Sequence, residues 1–286
     1  MAKVIDGRKI ACEINSSVKT QIEKLASSIG SAPKLVSLTV GHNDDAAIYV
    51  NMQRKAADAV GIEFATMDMP ADISQQGLLN MISELNNDKT VTAIIVQKPL
   101  PEGIDHDLIS HSIVAAKDAE GIHPYNLGKI LRREADLVPC TPGAIMKILR
   151  VENVDLYGKE VVIIGHSAIV GKPLSLMMMN ETATTTVCHI GTAEKGDLAA
   201  HARGADILIV AVGKAEMVKS DWVSEGAIVI DVGINKVGGK IVGDVKFGDV
   251  AKKASIITPV PGGVGPVTVS ILMRNIFRAY RNQNVV

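Results

Sequence analysis

Short runs rich in valine and isoleucine alternate with helix-patterned segments along most of the chain. The runs are mostly continuous rather than interrupted by polar residues, which is typical of strands covered on both faces. The predicted strands are 35–40, 63–67, 91–96, 161–164, 185–188, 206–211, 227–232 and 255–257, with helical periodicity between them, for example over 11–29, 46–60 and 75–85. Repeated strand–helix–strand order predicts an α/β fold with parallel sheets and crossover helices.

Two loop-rich zones indicate a division into two domains. Prolines and glycines interrupt the chain at 98–103 and again at 139–143. From Tyr157 the pattern restarts as a strand, a glycine turn and a helix. We therefore place a domain boundary near residue 140, and the length of 286 residues is ample for two domains of ordinary size.

Composition excludes several classes of protein. A net charge of −1 and an aromatic content of 3% provide neither the basic excess nor the stacking platform of a nucleic-acid-binding protein. The apolar runs are far shorter than the roughly 20 residues of a membrane-spanning helix. Three cysteines without a Cys-x-x-Cys pair argue against a disulfide framework and a zinc site, and the first residues show no signal-peptide pattern. We therefore expect a cytoplasmic protein without a membrane or nucleic-acid partner.

We also predict no metal site. The group that comes closest to one is His42 with Asp44 and Asp45, and we interpret it as a turn and helix cap.

The segment 161–173 indicates a nucleotide-binding turn. A buried strand runs into Gly165, and Gly171 precedes a helix that we expect to start at Pro173. Glycines allow the backbone to approach a pyrophosphate, and a helix N-terminus offers free N–H groups. Because the spacing is Gly-x5-Gly rather than Gly-x-Gly-x-x-Gly, a tight turn without a ligand stays an alternative.

Polar residues elsewhere indicate a substrate site. Tyr49 and Gln53 are four residues apart on a predicted helix and share a face, while Gln97 directly follows a buried strand. The run 258–266 contains three prolines and three glycines. It predicts a rigid loop that suits a planar ligand or, alternatively, a mere connector between domains.

Motifs along the whole chain resemble those of one enzyme family. In order, they are Val96-Gln97-x-Pro99-Leu100-Pro101, Pro139-Cys140-Thr141-Pro142, Gly165-x-Ser167-x-x-Val170-Gly171-Lys172-Pro173, Asp231-Val232-Gly233-Ile234-Asn235, Gly243-Asp244-Val245 and Pro261-Gly262-Gly263-Val264-Gly265-Pro266-x-Thr268. With them, the chain resembles the methylenetetrahydrofolate dehydrogenase/methenyltetrahydrofolate cyclohydrolase family, FolD.

The resemblance implies two α/β domains with a cleft between them. The N-terminal substrate domain would comprise residues 1–140 together with the C-terminal helix, 267–286, and a Rossmann-like parallel-sheet domain, 141–266, would bind the nucleotide. The resemblance also implies a homodimer that oxidises 5,10-methylenetetrahydrofolate with NADP or NAD. The methenyl product would then be hydrated to 10-formyltetrahydrofolate.

The resemblance assigns candidate residues to each role. The catalytic candidates are Tyr49, Gln53, Gln97 and Glu120. Substrate binding is expected from these four and from Val96, Lys98, Pro261, Gly262 and Gly263. Cofactor contacts are expected from Thr141, Gly165, His166, Ser167, Val170, Gly171, Pro173, Ile190, Val212, Gly213, Gly233, Ile234, Gly265 and Thr268.

The chain departs from the family pattern at positions where chemistry is expected. The family's catalytic lysine, four residues after the tyrosine, is Gln53 here, and the family's aspartate is Glu120. The leucine that usually follows the glutamine is Lys98, and the arginine that usually follows the first cofactor glycine is His166.

The replacement of the lysine predicts unequal effects on the two reactions. Hydration needs a proton removed from water and another given to a ring nitrogen, and glutamine cannot exchange protons. Hydride transfer needs mainly alignment of cofactor and substrate. We therefore predict a retained dehydrogenase with weak or absent cyclohydrolase. A fully bifunctional enzyme in which another group replaces the lysine, and a non-catalytic or retargeted paralogue, stay open as alternatives.

The histidine at the arginine position predicts a weak choice between NADP and NAD. Arginine matches the geometry of a phosphate group, whereas histidine carries a charge that depends on pH. We expect any preference for NADP to grow as the pH falls from about 8 to about 6.

Overall fold

The computed structural model describes residues 1–41 and 43–284, without the side chains of residues 44–46. The interpretation of His42 with Asp44 and Asp45 as a turn and cap therefore falls outside the described residues and stays a prediction.

The chain divides into two compact units. We call Cys12–Cys140 with Val269–Val286 the N-terminal unit, and Met1–Ala11 with Thr141–Thr268 the C-terminal unit. Each unit contains its own parallel sheet.

The secondary structure alternates between strands and helices as the sequence predicts. In chain order the strands are β1 (Lys3–Val4), β2 (Lys34–Val40), β3 (Glu63–Met69), β4 (Ala93–Val96), β5 (Glu160–Ile164), β6 (Thr184–Cys188), β7 (Ile207–Val210), β8 (Ile228–Asp231), β9 (Asn235–Val237), β10 (Lys240–Val242) and β11 (Ile256–Ile257). The α-helices are α1 (Gly7–Ile29), α2 (Asp44–Val60), α3 (Gln75–Asn87), α4 (His106–Ser112), α5 (Pro124–Leu131), α6 (Cys140–Val151), α7 (Gly171–Asn180), α8 (Ile190–Glu194), α9 (Leu198–Arg203), α10 (Phe247–Val250) and α11 (Val264–Asn284).

The N-terminal unit contains a three-stranded parallel sheet in the order β3-β2-β4. Its central strand is apolar because both faces are covered, and Leu38 and Ile94 pack in one cluster with Leu78 and Ile82 of α3. Since all three strands are parallel, their carboxyl ends meet at one edge of the sheet. Ligands of open α/β sheets bind at that edge, and the residue that follows β4 there is Gln97.

The C-terminal unit contains a six-stranded sheet in the order β1-β11-β8-β7-β5-β6, and every pairing in it is parallel. Strand β7 consists of buried isoleucine, leucine and valine, and so does β5 after its exposed first residue, Glu160. The order reverses direction between β5 and β7, which is the kind of switch point where Rossmann-like folds bind nucleotides. Helix α7 leaves the sheet directly after β5, at Gly171 rather than at Pro173 as expected.

The amino end of the chain differs from the expected domain division. Residues 1–11 were assigned to the substrate domain, but they belong to the C-terminal unit. The reason is that Lys3 and Val4 pair with β11, and the Gly7 N–H donates to the Gly262 carbonyl at 3.0 Å. A strand of two residues has too short a pattern to be seen in the sequence. The hairpin β9–β10 is equally short and was not expected either.

The other two unit boundaries lie close to the predicted domain boundaries. The units change between Cys140 and Thr141 and again between Thr268 and Val269, within the first turns of α11. Among the described residues, no helix has both the length and the apolarity needed to cross a membrane.

Candidate active site

Three polar side chains form a hydrogen-bonded chain at the carboxyl end of β4. The Gln97 Nε2 group donates to Gln53 Oε1 at 2.8 Å and to Ser37 Oγ at 3.0 Å. Gln53 and Ser37 are fully buried. Gln53 Nε2 forms no hydrogen bond of standard geometry within the described part of the chain, although the Gln53 amide lies close enough to the Tyr49 hydroxyl to lower its pKa. A buried donor without such a bond is uncommon in folded proteins, and here it belongs to a residue predicted to be catalytic.

A cavity of about 380 Å³ lies beside these three hydrogen-bonded side chains, with Gln97 in its lining. We call it the Glu120 cavity, and the predicted site residues in its lining are Tyr49, Val96, Gln97, Lys98 and Glu120. Helix α2 supplies the tyrosine and the end of β4 supplies the next three residues. The structure therefore brings together residues that are up to 71 positions apart in the sequence, since Tyr49 and Glu120 line one cavity. Gln53 is connected to the cavity through its hydrogen bond to Gln97.

The turn that carries Glu120 is held by a buried carboxylate. Asp118 accepts hydrogen bonds from the backbone N–H groups of Gly121 at 3.0 Å and His123 at 2.8 Å, and from the Asn126 amide at 2.9 Å. Gly121 has a φ of 71°, and a Cβ atom there would lie 2.4 Å from the Val138 carbonyl oxygen. Only glycine fits this position. The tight turn at Gly121 therefore sets the backbone position of the preceding residue, Glu120.

The Glu120 carboxyl is a lining group of this cavity whose pKa is shifted towards neutral pH. Burial raises its pKa from the ordinary value of 4.5 to about 7, while Lys98 lowers it and Asp118 raises it further. No hydrogen bond to this carboxyl occurs within residues 1–41 and 43–284. The side chain therefore faces the cavity with both oxygens available for a ligand and with a mixture of protonation states near neutral pH.

Two neighbouring groups titrate far from neutral pH. Burial raises the pKa of the Tyr49 hydroxyl above its usual range, and so do the nearby Cys140 and Glu120, although Gln53 lowers it. Burial also raises the pKa of the Cys140 thiol well above its usual range. Tyr49 can therefore donate or accept a hydrogen bond as a neutral phenol, and Cys140 is not a nucleophile at neutral pH.

In the turn between β5 and α7, two glycines allow neighbouring backbone segments to pack closely. Gly165 has a φ of 127°, and a Cβ atom there would lie 2.3 Å from the Ala211 carbonyl oxygen. The Ser167 hydroxyl accepts the Val170 N–H at 3.1 Å and so holds the turn in place. A Cβ atom on Gly171 would lie only 1.9 Å from the Gly165 carbonyl oxygen. The first turn of α7 thus packs against the end of β5, where the Lys172 N–H already donates to the Ser167 carbonyl at 3.1 Å and Pro173 has no N–H.

Two histidines lie next to each other beyond this turn. The rings of His166 and His189 have centroids 5.2 Å apart and are tilted by 45°. His189 caps α8, because its Nδ1 atom accepts the Gly191 N–H at 3.2 Å. Its Nε2 atom is therefore the donor in the neutral ring. His166, which stands where the family pattern has arginine, is exposed to solvent.

Two family models match the chain. Residues 5–120 match the catalytic domain of tetrahydrofolate dehydrogenase/cyclohydrolase, and residues 139–284 match the NAD(P)-binding domain of the same enzymes.

The chain belongs to this family.

Relatives and solved structures support the assignment along the whole chain. "Bifunctional protein FolD 2" of Geobacter sulfurreducens is 45% identical over 280 residues, which cover 98% of this chain and 97% of the relative. The crystal structure of the bifunctional enzyme FolD from Campylobacter jejuni has a TM-score of 0.95 and 43% identity, with 99% of each chain covered. The Trypanosoma brucei FolD, complexed with NADP cofactor and inhibitor, has a TM-score of 0.94 and 38% identity, with 100% of this chain and 99% of that chain covered. The predicted two-domain α/β fold with a Rossmann-like domain is thereby confirmed.

At the sheet edge where the nucleotide is predicted to bind, three backbone N–H groups already donate hydrogen bonds to one carboxylate. The Val212 and Gly213 N–H groups donate to Asp244 Oδ2 at 2.7 and 3.0 Å, and the Lys214 N–H donates to Oδ1 at 2.8 Å. Val212 and Gly213 were predicted to contact the cofactor. Because Asp244 takes their N–H groups, these two residues are left with their carbonyl groups and van der Waals surfaces for such a contact.

A second carboxylate supports the first. Asp231 accepts the N–H groups of Gly233 at 3.0 Å, Asp244 at 3.0 Å and Val245 at 2.9 Å. Burial raises the pKa of Asp231 to about 6, although these three hydrogen bonds lower it. The loops that follow β7 and β8 are thus held together by two buried aspartates.

The remaining predicted residues of the C-terminal unit stay as predictions. Pro261, Gly262 and Gly263 form the loop between β11 and α11, where Gly263 donates to the Pro259 carbonyl at 2.9 Å. The others lie in the first turns of helices or are exposed: Thr141 in α6, Pro173 in α7, Ile190 in α8, Gly265 and Thr268 in α11, and Ile234 after β8.

Sequence reasoning missed several residues that shape both sites. Asp231 and Asp244 occur in motifs that carry the resemblance, but no role followed from their positions. Ser37 interrupts the apolar residues Leu35, Val36 and Leu38 of β2, and that interruption is the available signal. The proximity of His189 to His166 had no signal in the sequence, because the two residues follow different strands.

Proposed function

We propose that the protein is a 5,10-methylenetetrahydrofolate dehydrogenase, which transfers a hydride to NADP or NAD and yields 5,10-methenyltetrahydrofolate. The observation that carries the proposal is the grouping of Tyr49, Gln97 and Glu120 around one cavity, in a chain with the family's catalytic and NAD(P)-binding domains. The Glu120 carboxyl, without a protein partner in the described chain, is suited to accept two N–H groups of the pterin ring.

The residues at the nucleotide edge fit a dinucleotide. The close crossing of Gly165 and Gly171 supports the expectation that a pyrophosphate lies against the backbone between β5 and α7, and His166 in the same turn is exposed. When bound, NADP or NAD supplies the hydride acceptor. The protein's own contribution to this step is to bind the pterin, align it and exclude water, and none of these tasks needs a lysine at position 53.

The hydration step has two candidate outcomes. The buried Gln53 favours weak or lost cyclohydrolase, because its amide neither ionises nor takes up a proton near neutral pH and its oxygen accepts a hydrogen bond from Gln97. The relatives, which are named bifunctional FolD proteins, favour the alternative, a fully bifunctional enzyme that makes 10-formyltetrahydrofolate. That alternative requires another group to exchange protons. Glu120, with a pKa near 7 and a place on the same cavity, is the group that could do so.

Two absorbance measurements on the purified protein test the proposal. The first follows formation of the methenyl product from 5,10-methylenetetrahydrofolate with NADP and, separately, with NAD. The second follows decay of added methenyltetrahydrofolate with and without protein. Oxidation with either nucleotide supports the dehydrogenase. No oxidation with either nucleotide would instead favour a retargeted paralogue, and decay well above the buffer rate would favour the bifunctional enzyme.

We also propose, from the family resemblance, that the protein acts as a homodimer in the cytoplasm. Its three cysteines are free thiols in the structure, which suits a reducing compartment. Sedimentation of the purified protein would determine the oligomeric state.

A further inference from the structure

The C-terminal helix α11 contributes a fully buried amide to the N-terminal unit, close to the turn that carries Glu120. Asn275 has no exposed surface, and its Nδ2 atom donates to the Ala119 carbonyl at 3.0 Å and to the Val138 carbonyl at 2.8 Å. A side-chain amide has two N–H groups, so both are used. Both acceptors belong to loops, since Ala119 directly precedes Glu120 and Val138 lies just before α6.

These two hydrogen bonds fix the backbone on both sides of Glu120. The Ala119 carbonyl and the Glu120 N–H belong to one planar peptide unit, so a fixed carbonyl sets the plane in which Glu120 begins. On the other side, the Val138 carbonyl oxygen packs against Gly121, where a Cβ atom would lie 2.4 Å from it. Asn275 therefore acts on the backbone of the glutamate through both of its neighbours.

The two acceptors also determine the orientation of the Asn275 amide. With the NH2 group on two carbonyls, Oδ1 faces away from them, and it forms no hydrogen bond within residues 1–41 and 43–284. A buried acceptor without a partner is uncommon and destabilises the folded state. The amide is thus not optimal for stability, and what it provides is the fixed position of two carbonyl groups.

We propose that Asn275 is a positioning residue for Glu120, which keeps the carboxyl buried at the cavity in the geometry that binds the pterin ring. The inference rests on the proposed function, because it takes Glu120 as the group that binds the folate. Without the amide, the two carbonyl groups lose their donors and the turn loses these two connections to α11. The carboxyl then gains contact with water, and its distance from a bound ring is no longer fixed.

Charged and titratable groups from several elements lie around the Glu120 carboxyl. They are Tyr49 of α2, Lys98 after β4, Asp118 in the same turn and Cys140 of α6. Burial is nevertheless the largest influence on this carboxyl and raises its pKa to about 7. Because a substitution of the uncharged Asn275 alters none of these four groups, a shift in the Glu120 titration would report a change in burial.

A double-mutant cycle with tetrahydrofolate tests the inference. Asn275→Leu preserves the approximate volume and removes both donors. By calorimetry at pH 8, we expect it to weaken folate binding roughly 5- to 20-fold in the otherwise unmodified protein but less than about 2-fold in the Glu120→Gln background. Asn275→Ser, which keeps one donor, should have a smaller effect of the same kind and replaces the leucine variant if that variant does not fold.

The titration of the carboxyl gives a readout that a mere loss of stability does not change. In the protein without folate, NMR of carbon-13-labelled glutamate should show the Glu120 midpoint near 7, and Glu120→Gln identifies its signal. Asn275→Leu should move this midpoint towards the ordinary value of 4.5, because the carboxyl becomes better hydrated.

Gln283→Leu is the matched control. Gln283 lies on the same helix, and its Nε2 atom also donates to two backbone carbonyls, those of Thr92 at 2.9 Å and Ala116 at 3.0 Å. Neither the side chain nor its acceptors line the Glu120 cavity. The control should lower stability without changing folate affinity or the midpoint of Glu120.

The outcomes separate this inference from the proposed function. Equal losses of folate affinity from Asn275→Leu in both backgrounds overturn the inference, and so does an unchanged midpoint. The same changes in Gln283→Leu overturn it as well, because they would then follow from a general loosening of α11. If Glu120→Gln leaves folate affinity unchanged, the proposed pterin contact fails, and the titration then decides whether Asn275 positions the carboxyl.

Discussion

The candidate site of the N-terminal unit is formed by side chains, whereas the predicted site of the C-terminal unit is formed mainly by backbone loops. In the N-terminal unit the site consists of side chains, with Gln97 linking Gln53 and Ser37 and with Glu120 facing the cavity. In the C-terminal unit the predicted site consists of loops whose backbone N–H groups are held by Asp231 and Asp244.

This difference determines how each site tolerates change. A side-chain site can lose one chemical capacity at one position while the surrounding geometry persists. Gln53 shows this, because it remains fully buried and hydrogen-bonded where the family pattern has lysine. A backbone site depends on buried groups that need not touch the ligand at all. Substitutions in the N-terminal unit should therefore alter catalytic activity. Substitutions of the buried aspartates in the C-terminal unit should alter stability and nucleotide binding together.

The largest expected effect is a gain of hydration in Gln53→Lys. A lysine returns a titratable group to the position beside Gln97, and positioned acid–base groups typically provide about 10²- to 10⁴-fold. We expect methenyltetrahydrofolate to decay at least about 10²-fold faster with this variant than with the unmodified protein. Gln53→Met is the matched control, since it preserves the approximate volume and exchanges no proton. Equal hydration by the unmodified protein and the folded lysine variant would show that position 53 does not limit this step.

The next effect is a loss of stability in Asp244→Asn. This fully buried carboxylate accepts three backbone N–H groups and the Asn235 amide, so the substitution leaves charge-assisted bonds weakened or unmade. We expect the free energy of unfolding in urea to fall by about 2–4 kcal/mol and nucleotide affinity to fall as well. Asp249→Asn, which removes a partly exposed carboxylate of the same unit that pairs with Lys246, should lower the free energy of unfolding only slightly, because surface ion pairs contribute little, and should leave nucleotide affinity unchanged. A stable Asp244→Asn protein with normal nucleotide affinity would remove the proposed contrast between the units.

A third test concerns folate binding through Glu120. Glu120→Gln should weaken binding of tetrahydrofolate at pH 8 by about 1.5–3 kcal/mol, the scale for hydrogen bonds to charged groups. Because the acceptor is the ionised form, affinity in the unmodified protein should fall as the pH drops below about 7. The variant should lose that pH dependence. Calorimetry at several pH values measures both effects, with the exposed Glu102→Gln as control.

The same substitution should have the opposite effect on stability. The pKa of Glu120 is raised in the folded protein from 4.5 to about 7, so the folded state holds its proton more tightly than the unfolded state. The unmodified protein should therefore lose stability as the pH rises from about 4.5 to about 7 and should keep that loss above 7. Glu120→Gln avoids the buried charge and should be more stable at pH 8, with little difference at pH 4. Equal stabilities at pH 8 would contradict the burial of this carboxyl.

The smallest expected effect is on the choice of nucleotide. The ratio of kcat/KM for NADP to that for NAD should rise roughly 2- to 5-fold as the pH falls from about 8 to about 6, as the sequence predicts for histidine at the position where the family pattern has arginine. His166→Gln should abolish this rise, and the exposed His201→Gln should preserve it. A large preference for NADP that does not vary with pH would mean that another cation binds the 2′-phosphate.

The sequence predicted the elements of both sheets well, since buried parallel strands appear as unbroken apolar runs. It did not predict β1 or the hairpin β9–β10, where the strands are two or three residues long. The structure consequently groups residues 1–11 with the C-terminal unit, whereas the sequence predicts them in the substrate domain. The pairing of Lys3 and Val4 with β11 joins parts of the chain some 250 residues apart, and no local pattern records it.

The sequence by itself determined the fold class, the family resemblance and the positions where this chain departs from the family, because these depend on residue order and local spacing. The tertiary structure alone decided which of those residues meet. It placed Tyr49, Gln97 and Glu120 on one cavity, bonded Gln53 to Gln97, and set His166 beside His189. It also decided the charge state of Glu120, because a carboxyl acquires a pKa near 7 only when folding removes it from water.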